Sequence, residues 1–179
     1  MLDKENVVLI VIDFQERMLP HIKNWQDVLK NSVKLIKAFK IFNLPIIYTE
    51  QKKLGKTVDE VWAGKNIIEK TTFSCFRERN FIEILNKTKR RKCLVIGIEA
   101  HICVLQTVLD LIENGYETYV AIDCIGSRNE EDKEVAVKYM IRYGAVPTTA
   151  ETAIYEILES SEAPEFKKIL EIVKESFNN

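Results

Sequence analysis

Near the N-terminus the chain reads NVVLIVI over residues 6 to 12, and after a charged stretch Leu29, Val33 and Ile36 recur on one stripe. An apolar run without alternation marks a strand covered on both faces, and a three-to-four spacing marks an amphipathic helix. The same pair of patterns repeats along the chain. Strands are predicted at 6–12, 45–49, 66–69, 93–98, 117–122 and 145–148, and helices at 25–42, 79–87, 103–114, 130–143, 151–160 and 163–177. Alternating strands and helices joined by right-handed crossovers give a parallel sheet sandwiched between helical layers. The expected fold class is therefore α/β, a three-layer α/β/α, Rossmann-like arrangement of six parallel strands. Sheets of this kind bind ligands beyond the carboxyl ends of their strands.

A chain of 179 residues suits a single domain spanning 1–179 and is long enough to bury roughly 70% of its unfolded surface. Cys75, Cys93, Cys103 and Cys124 lie ten or more residues apart, with no CxxC pair. That spacing gives neither a zinc site nor a disulfide framework. The N-terminal apolar run is too short and too acidic in its flanks for a secretory signal, and no stretch has transmembrane length, so the expected setting is soluble, reducing and cytoplasmic. With 26 basic and 27 acidic residues, no global field draws nucleic acid or anionic lipid. No GxGxxG or GxxxxGK[ST] appears, so dinucleotides and triphosphates are not expected ligands. The expected partner is a small-molecule substrate, with no nucleic acid and no membrane. The basic run NKTKRRK at 86–92 reads as a helix C-terminus turning into the fourth strand, where cations suit the helix dipole.

Three reactive side chains fall at or just beyond predicted strand ends: Asp13 after VVLIVI, Lys70 after NIIE, and Cys103 a few residues past CLVIGI. Each has an ordinary reading as well. Asp13 could cap a helix or form a turn, Lys70 could be solvated, and Cys103 could simply pack. Cys103 has two reasons to be reactive. It lies where a helix begins, so unpaired N–H groups and the positive dipole end would favour thiolate, and a nearby Lys70 ammonium would add to that. Cys75, Cys93 and Cys124 lack this setting and are expected to be structural.

The segments VLIVIDFQERML, EKTTFSCF and GIEAHICVLQTVLDL, in that order, resemble the three signature segments of the isochorismatase-like (cysteine hydrolase) superfamily. The downstream AIDCIGSRNEEDKEVAVKYMIRYGAVPTTAETAIYEIL is similar to its following strand, Asp-containing turn and terminal helices. The likeness covers nearly the whole chain and extends to the isochorismatase domain-containing branch. It implies a triad with Asp13 as base, Cys103 as nucleophile and Lys70 as supporting cation. It also implies a cis peptide between Ile98 and Glu99, with the backbone N–H groups of Glu99 and Cys103 forming an oxyanion hole. Asp123 and Ser127 would belong to a structural turn.

Nicotinamidases of this superfamily carry an Asp-x-His arrangement after the second strand that helps hold a metal. Here the segment is TEQKKLG and the only histidines are His21 and His101, so neither such a metal nor any cofactor is expected. His101, two residues before the nucleophile, is read as a loop or interface residue. The pocket is expected to use Phe14, Gln15, Glu50, Gln51, Trp62 and Phe76, with residues 50 to 65 as lid or specificity loop. Enzymes that cleave the vinyl ether of isochorismate generally lack the cysteine, so the chemistry tilts toward C–N hydrolysis. Two alternatives stay open: a non-catalytic or regulatory binding protein of the same fold, and a vinyl ether hydrolase. The resemblance implies a homo-oligomer, and the apolar positions Ile154, Leu158, Ile169 and Ile172 on the last two helices could serve partners or equally pack inside one subunit.

Overall fold

The computed structural model describes residues 1–61 and 67–175. Six strands form one sheet: β1 (Val7–Ile12), β2 (Ile46–Gln51), β3 (Ile67–Lys70), β4 (Lys92–Ile98), β5 (Glu117–Gly126) and β6 (Val146–Thr148). Every pairing is parallel, in the order β3-β2-β1-β4-β5-β6. The helices are α1 (Trp25–Ile41), α2 (Arg79–Thr88), α3 (Leu105–Glu113), α4 (Glu130–Tyr143), α5 (Ala150–Leu158) and α6 (Phe166–Lys174). Among the described residues no helix is long and apolar enough to cross a membrane.

The alternate side chains of β1 explain the three layers. Val7, Leu9 and Val11 pack toward Leu35 and Phe39 of α1, Ile154 and Ile157 of α5, and Ile169 and Val173 of α6. Val8, Ile10 and Ile12 pack toward Phe81 and Leu85 of α2, Val108 and Leu111 of α3, and Met140 of α4. All six residues of β1 are buried, which is why its sequence is apolar throughout. Burying Phe39 and Phe81 completely stabilises the two layers by about 1.5–3 kcal/mol each. From β1 the chain moves outward to β2 and β3, then returns across the sheet to β4 on the other side of β1. That reversal opens a crevice beyond the carboxyl ends of β1 and β4.

The structure corrects several sequence expectations. Ile154, Leu158 and Ile169 are buried, and Ile172 packs partly buried against the same core; of the two readings of these positions, packing inside the subunit is the one the structure takes. Their apolar positions sit on a stripe, and a stripe alone does not say what covers it. Large exposed apolar residues lie on and just after α4, at Val135, Tyr139, Tyr143 and Val146. Strand β5 continues four residues past its predicted end because a bulge interrupts its pairing: Val95 faces Val120, yet Gly97 already faces Ile125. Asp123, in that bulge, accepts a hydrogen bond from Ala150 N at the start of α5 (2.9 Å). The basic run at 86–92 does end α2, with Lys89 in a left-handed conformation, and leads into β4.

Gly97 of β4 stands directly against Ile12 of β1. Its φ is +143°, and a Cβ there would lie 2.3 Å from the carbonyl oxygen of Ile12 and 2.6 Å from its Cβ. Backbone and a β-branched core residue cannot yield cheaply, and the conformation is strained for an L side chain. Gly97→Ala is therefore expected to destabilise the protein by about 2 kcal/mol or more, seen as a lower urea midpoint. A midpoint unchanged from the parent would contradict this close approach.

Candidate active site

Asp13 is the first residue after β1 and takes a left-handed conformation, φ 55°, which Asp tolerates better than most side chains. Its N–H donates to Thr49 O in β2 (3.2 Å), and its Oδ1 accepts a hydrogen bond from Thr49 Oγ1 (2.8 Å). Its Oδ2 forms a buried ion pair with Lys70 Nζ at 2.7 Å. The side chains of the pair are 2% and 0% exposed.

Lys70 is the last residue of β3, two strands away from β1. Its Nζ meets Gln51 Oε1 (2.6 Å), Phe73 O (3.1 Å), Thr72 O (3.3 Å) and Cys103 Sγ (3.5 Å). Burial alone would push this ammonium toward neutrality, yet the Asp13 carboxylate beside it outweighs burial and holds its pKa above the ordinary value.

Cys103 lies in a π-helical turn, Ala100–Val104, that joins β4 to α3. Ile102 N and Val104 N both donate to Glu99 O (3.1 and 3.2 Å). The peptide between Ile98 and Glu99 is cis, so the two proposed oxyanion donors are the first residue after that bond and the cysteine four residues on. A buried hydroxyl fixes the turn from below: Thr107 Oγ1 donates to Cys103 O (2.7 Å) and accepts from Cys75 N (3.0 Å).

The expectation that the helix start would favour thiolate does not hold. Burial, then the negative charge of Asp13, push the Cys103 thiol up to about 12, with Lys70 only partly offsetting them. Cys103 therefore rests as a thiol beside the Asp13–Lys70 pair. Burial likewise raises Cys75 to about 11 and Cys93 to about 12, and raises Cys124 well above the usual thiol range. All four cysteines are buried and unpaired.

A cleft of about 220 Å³ opens onto this group, lined by Asp13, Cys103 and Gln51 together with Met18, Leu54, Phe73, Ile98, Glu99, Ile102 and Arg128. Among the described residues, no three His, Cys, Asp or Glu side chains cluster so as to hold a metal ion.

A sequence model of the isochorismatase domain matches residues 7–152. The chain belongs to the isochorismatase family. Its curated relatives include isochorismatase family protein 1A of Dictyostelium discoideum, 34% identical over 94% of this chain and 86% of that one. Isochorismatase domain-containing protein 2A of Mus musculus is 32% identical over 96% and 84%. Among solved structures, one described as the MAR1 ribonuclease of Caenorhabditis elegans superposes with a TM-score of 0.90 at 35% identity, covering 97% of this chain and 92% of that one. These likenesses establish the hydrolase fold of the isochorismatase family.

Within this isochorismatase-family site, the structure brings Asp13, Lys70 and Cys103 together and places the other expected residues variously. Gln51 lines the cleft and accepts from Lys70. Glu50 turns away, its Oε1 taking hydrogen bonds from Thr57 N and Oγ1 (2.6 and 2.7 Å). Gln15 clamps the following loop, donating to Gly55 O and Gln51 O and accepting from Gln51 N. Phe14 is buried in one core layer, and Phe76 packs edge-on against Phe81 and Tyr116. Trp62 lies outside the described residues. His101 Nδ1 meets Ser127 Oγ at 2.9 Å, so Ser127 tethers the turn that carries Cys103 to the loop before α4.

Thr49, Thr107, Phe73 and Arg128 were not foreseen. Thr49 and Thr107 carried only a weak signal, a hydroxyl within otherwise apolar positions. Nothing local marked Phe73 or Arg128, which enter the site only through tertiary packing.

Removing one partner of a buried ion pair strands the other charge. Lys70→Met is expected to cost about 3 kcal/mol or more, and adding Asp13→Asn should recover at least half of that loss. Urea unfolding of the two single variants and the double variant measures this; strictly additive losses would contradict the pairing.

Proposed function

We propose that this protein is a metal-independent cysteine hydrolase that cleaves a small-molecule C–N bond, in an amide, imide or carbamoyl compound, through a thioester intermediate. The convergence of Asp13, Lys70 and Cys103 beside one cleft carries this reading. Cys103 Sγ attacks the carbonyl carbon while its proton passes to the buried Asp13 carboxylate. A C–S bond forms and the carbonyl oxygen becomes an oxyanion, met by the N–H groups of Glu99 and Cys103. The oxyanion collapses, the C–N bond breaks, and Asp13 returns the proton to the departing nitrogen. Water, deprotonated by Asp13, then cleaves the thioester, releases the acid and restores the thiol. Lys70 keeps its proton throughout and balances the negative charge as it moves from carboxylate to oxyanion.

The raised thiol pKa supports a base that acts during attack, because little free thiolate exists at neutral pH. The intact triad also favours an enzyme over a binding protein that has lost its chemistry. The four unpaired cysteines suit a reducing, cytoplasmic setting, although one relative, from Phytophthora sojae, is named a secreted isochorismatase effector. A cleft of about 220 Å³, below the roughly 300–1,000 Å³ of drug-sized sites, favours a small amide over a polymer such as RNA.

The test is a library of small amides, imides and carbamoyl compounds, with RNA and isochorismate included, read by product release and by intact-protein mass. At least one C–N substrate should leave an acyl mass on Cys103 and lose turnover by 10³-fold or more in Cys103→Ser. Hydrolysis of RNA or isochorismate alone, or full activity of Cys103→Ser, would overturn the reading.

Asp13 raises the thiol pKa, so neutralising it must lower that pKa. Asp13→Asn is expected to abolish turnover, yet to shift the pH profile of iodoacetamide labelling at Cys103 to lower pH. A profile that stays in place or moves upward would show that Asp13 does not face the thiol as an anion.

A further inference from the structure

We infer that Glu78, a residue outside the cleft, is a positioning residue for the proposed reaction: its carboxylate fixes the loop after β3, and that loop sets where Lys70, Cys103 and Asp13 stand. This inference rests on the proposed C–N hydrolase reading and extends its machinery beyond the residues that line the cleft.

Residues 71–78 join β3 to α2 with one short 3-10 turn, Cys75–Arg77, so no regular ladder of hydrogen bonds holds this loop. Glu78 supplies the missing anchor. Its Oε1 accepts from Thr71 N (2.9 Å) and Thr72 N (3.1 Å), and it shares the single proton of the Thr72 hydroxyl (2.9 Å) with Ser74 O (2.8 Å). Successive backbone N–H groups converging on one oxygen favour an anion there, and those of Thr72 and Thr71 hold the Glu78 carboxyl below its ordinary range. The backbone of the same residue closes the ring, since Glu78 N donates to Cys75 O (3.1 Å). Glu78 is also the N-cap of α2, where a side-chain acceptor would ordinarily serve the helix's own N–H groups. Its side chain makes no such capping bond and turns back to the loop instead. Meanwhile Glu78 O accepts from Phe81 N and Ile82 N, and Phe81 seats the helix in the core.

The loop held in this way reaches all three reactive residues. Its Phe73 and Thr72 carbonyls accept from Lys70 Nζ. The Cys75 N–H reaches Cys103 O through Thr107 Oγ1, and the Cys75 thiol donates to Thr49 Oγ1 (3.7 Å), which in turn donates to Asp13. The ammonium is therefore shared. Asp13 and Gln51 hold it at 2.7 and 2.6 Å, the two loop carbonyls at 3.1 and 3.3 Å, and it stands 3.5 Å from Cys103 Sγ. If the loop loosens, the ammonium relaxes onto Asp13 and Gln51 and its hold on the sulfur weakens. Lys70 is a charge that lowers the Cys103 pKa, so losing Glu78 must raise that thiol further.

Iodoacetamide labelling of Cys103, mapped by peptide mass across a pH series, reads the placement of that charge without any substrate. Glu78→Ala is expected to move the labelling profile to higher pH by roughly half a unit or more, so that labelling on its rising limb slows about threefold or more. Glu78→Gln, the same shape without the charge, should move it the same way by a smaller amount, and it decides the matter if the alanine variant does not fold. Glu83→Ala removes another carboxylate of α2, one paired with Arg79, and should leave the profile in place. Thermal melts of each variant confirm that it is folded. A profile that stays in place or moves down in the Glu78 variants, or an equal shift in Glu83→Ala, would overturn the role. Because labelling involves no turnover, such a result would strike Glu78 alone, while the activity of Cys103→Ser still decides the hydrolase reading.

Discussion

A protonated amine cut off from water needs a complete polar shell, and the ammonium of Lys70 obtains its shell from most of the site. Asp13 comes from the end of β1, Gln51 from the end of β2, the carbonyls of Thr72 and Phe73 from the loop after β3, and the Cys103 sulfur from the turn after β4. Four parallel strand ends are thus drawn toward one nitrogen. Removing Asp13 would strand the buried charge at a cost of several kcal/mol, and removing a neutral acceptor would leave a buried donor unsatisfied.

The same charge sets the chemistry. With Lys70 and Asp13 paired, the site is nearly neutral around a thiol that burial keeps protonated. Cys103 is thereby protected from adventitious alkylation and oxidation, which require thiolate. In the proposed reaction the sulfur's electrons move only when a carbonyl occupies the cleft. A dry environment strengthens each electrostatic contact during that step.

Around this centre a second set of residues fixes position without carrying charge. Thr49 orients Asp13, Thr107 ties the Cys103 turn to Cys75, and Gln15 holds the loop after β2 against the sheet end. Gly97 lets β4 come close enough to β1 for the turn after it to face Asp13. Glu99 couples that turn to Arg128. These are packing and hydrogen-bond roles, and they set where the reactive atoms stand.

The chain by itself determined the alternation of buried strands and helices. Such strands must be apolar on both faces, and the run over residues 6 to 12 records that directly. Asp13, Lys70 and Cys103 were legible for a related reason: each follows a readable strand, and parallel strands deliver their ends to one side. The bulge in β5, the burial of Ile154, Leu158 and Ile169, and the turning of Glu50 toward Thr57 were not legible, because each depends on which distant segment happens to cover it. Only the tertiary structure could decide the protonation of Cys103. The sequence shows a cysteine at a helix start, whereas its pKa follows from the water excluded around it and the Asp13 charge facing it, and both are created by folding.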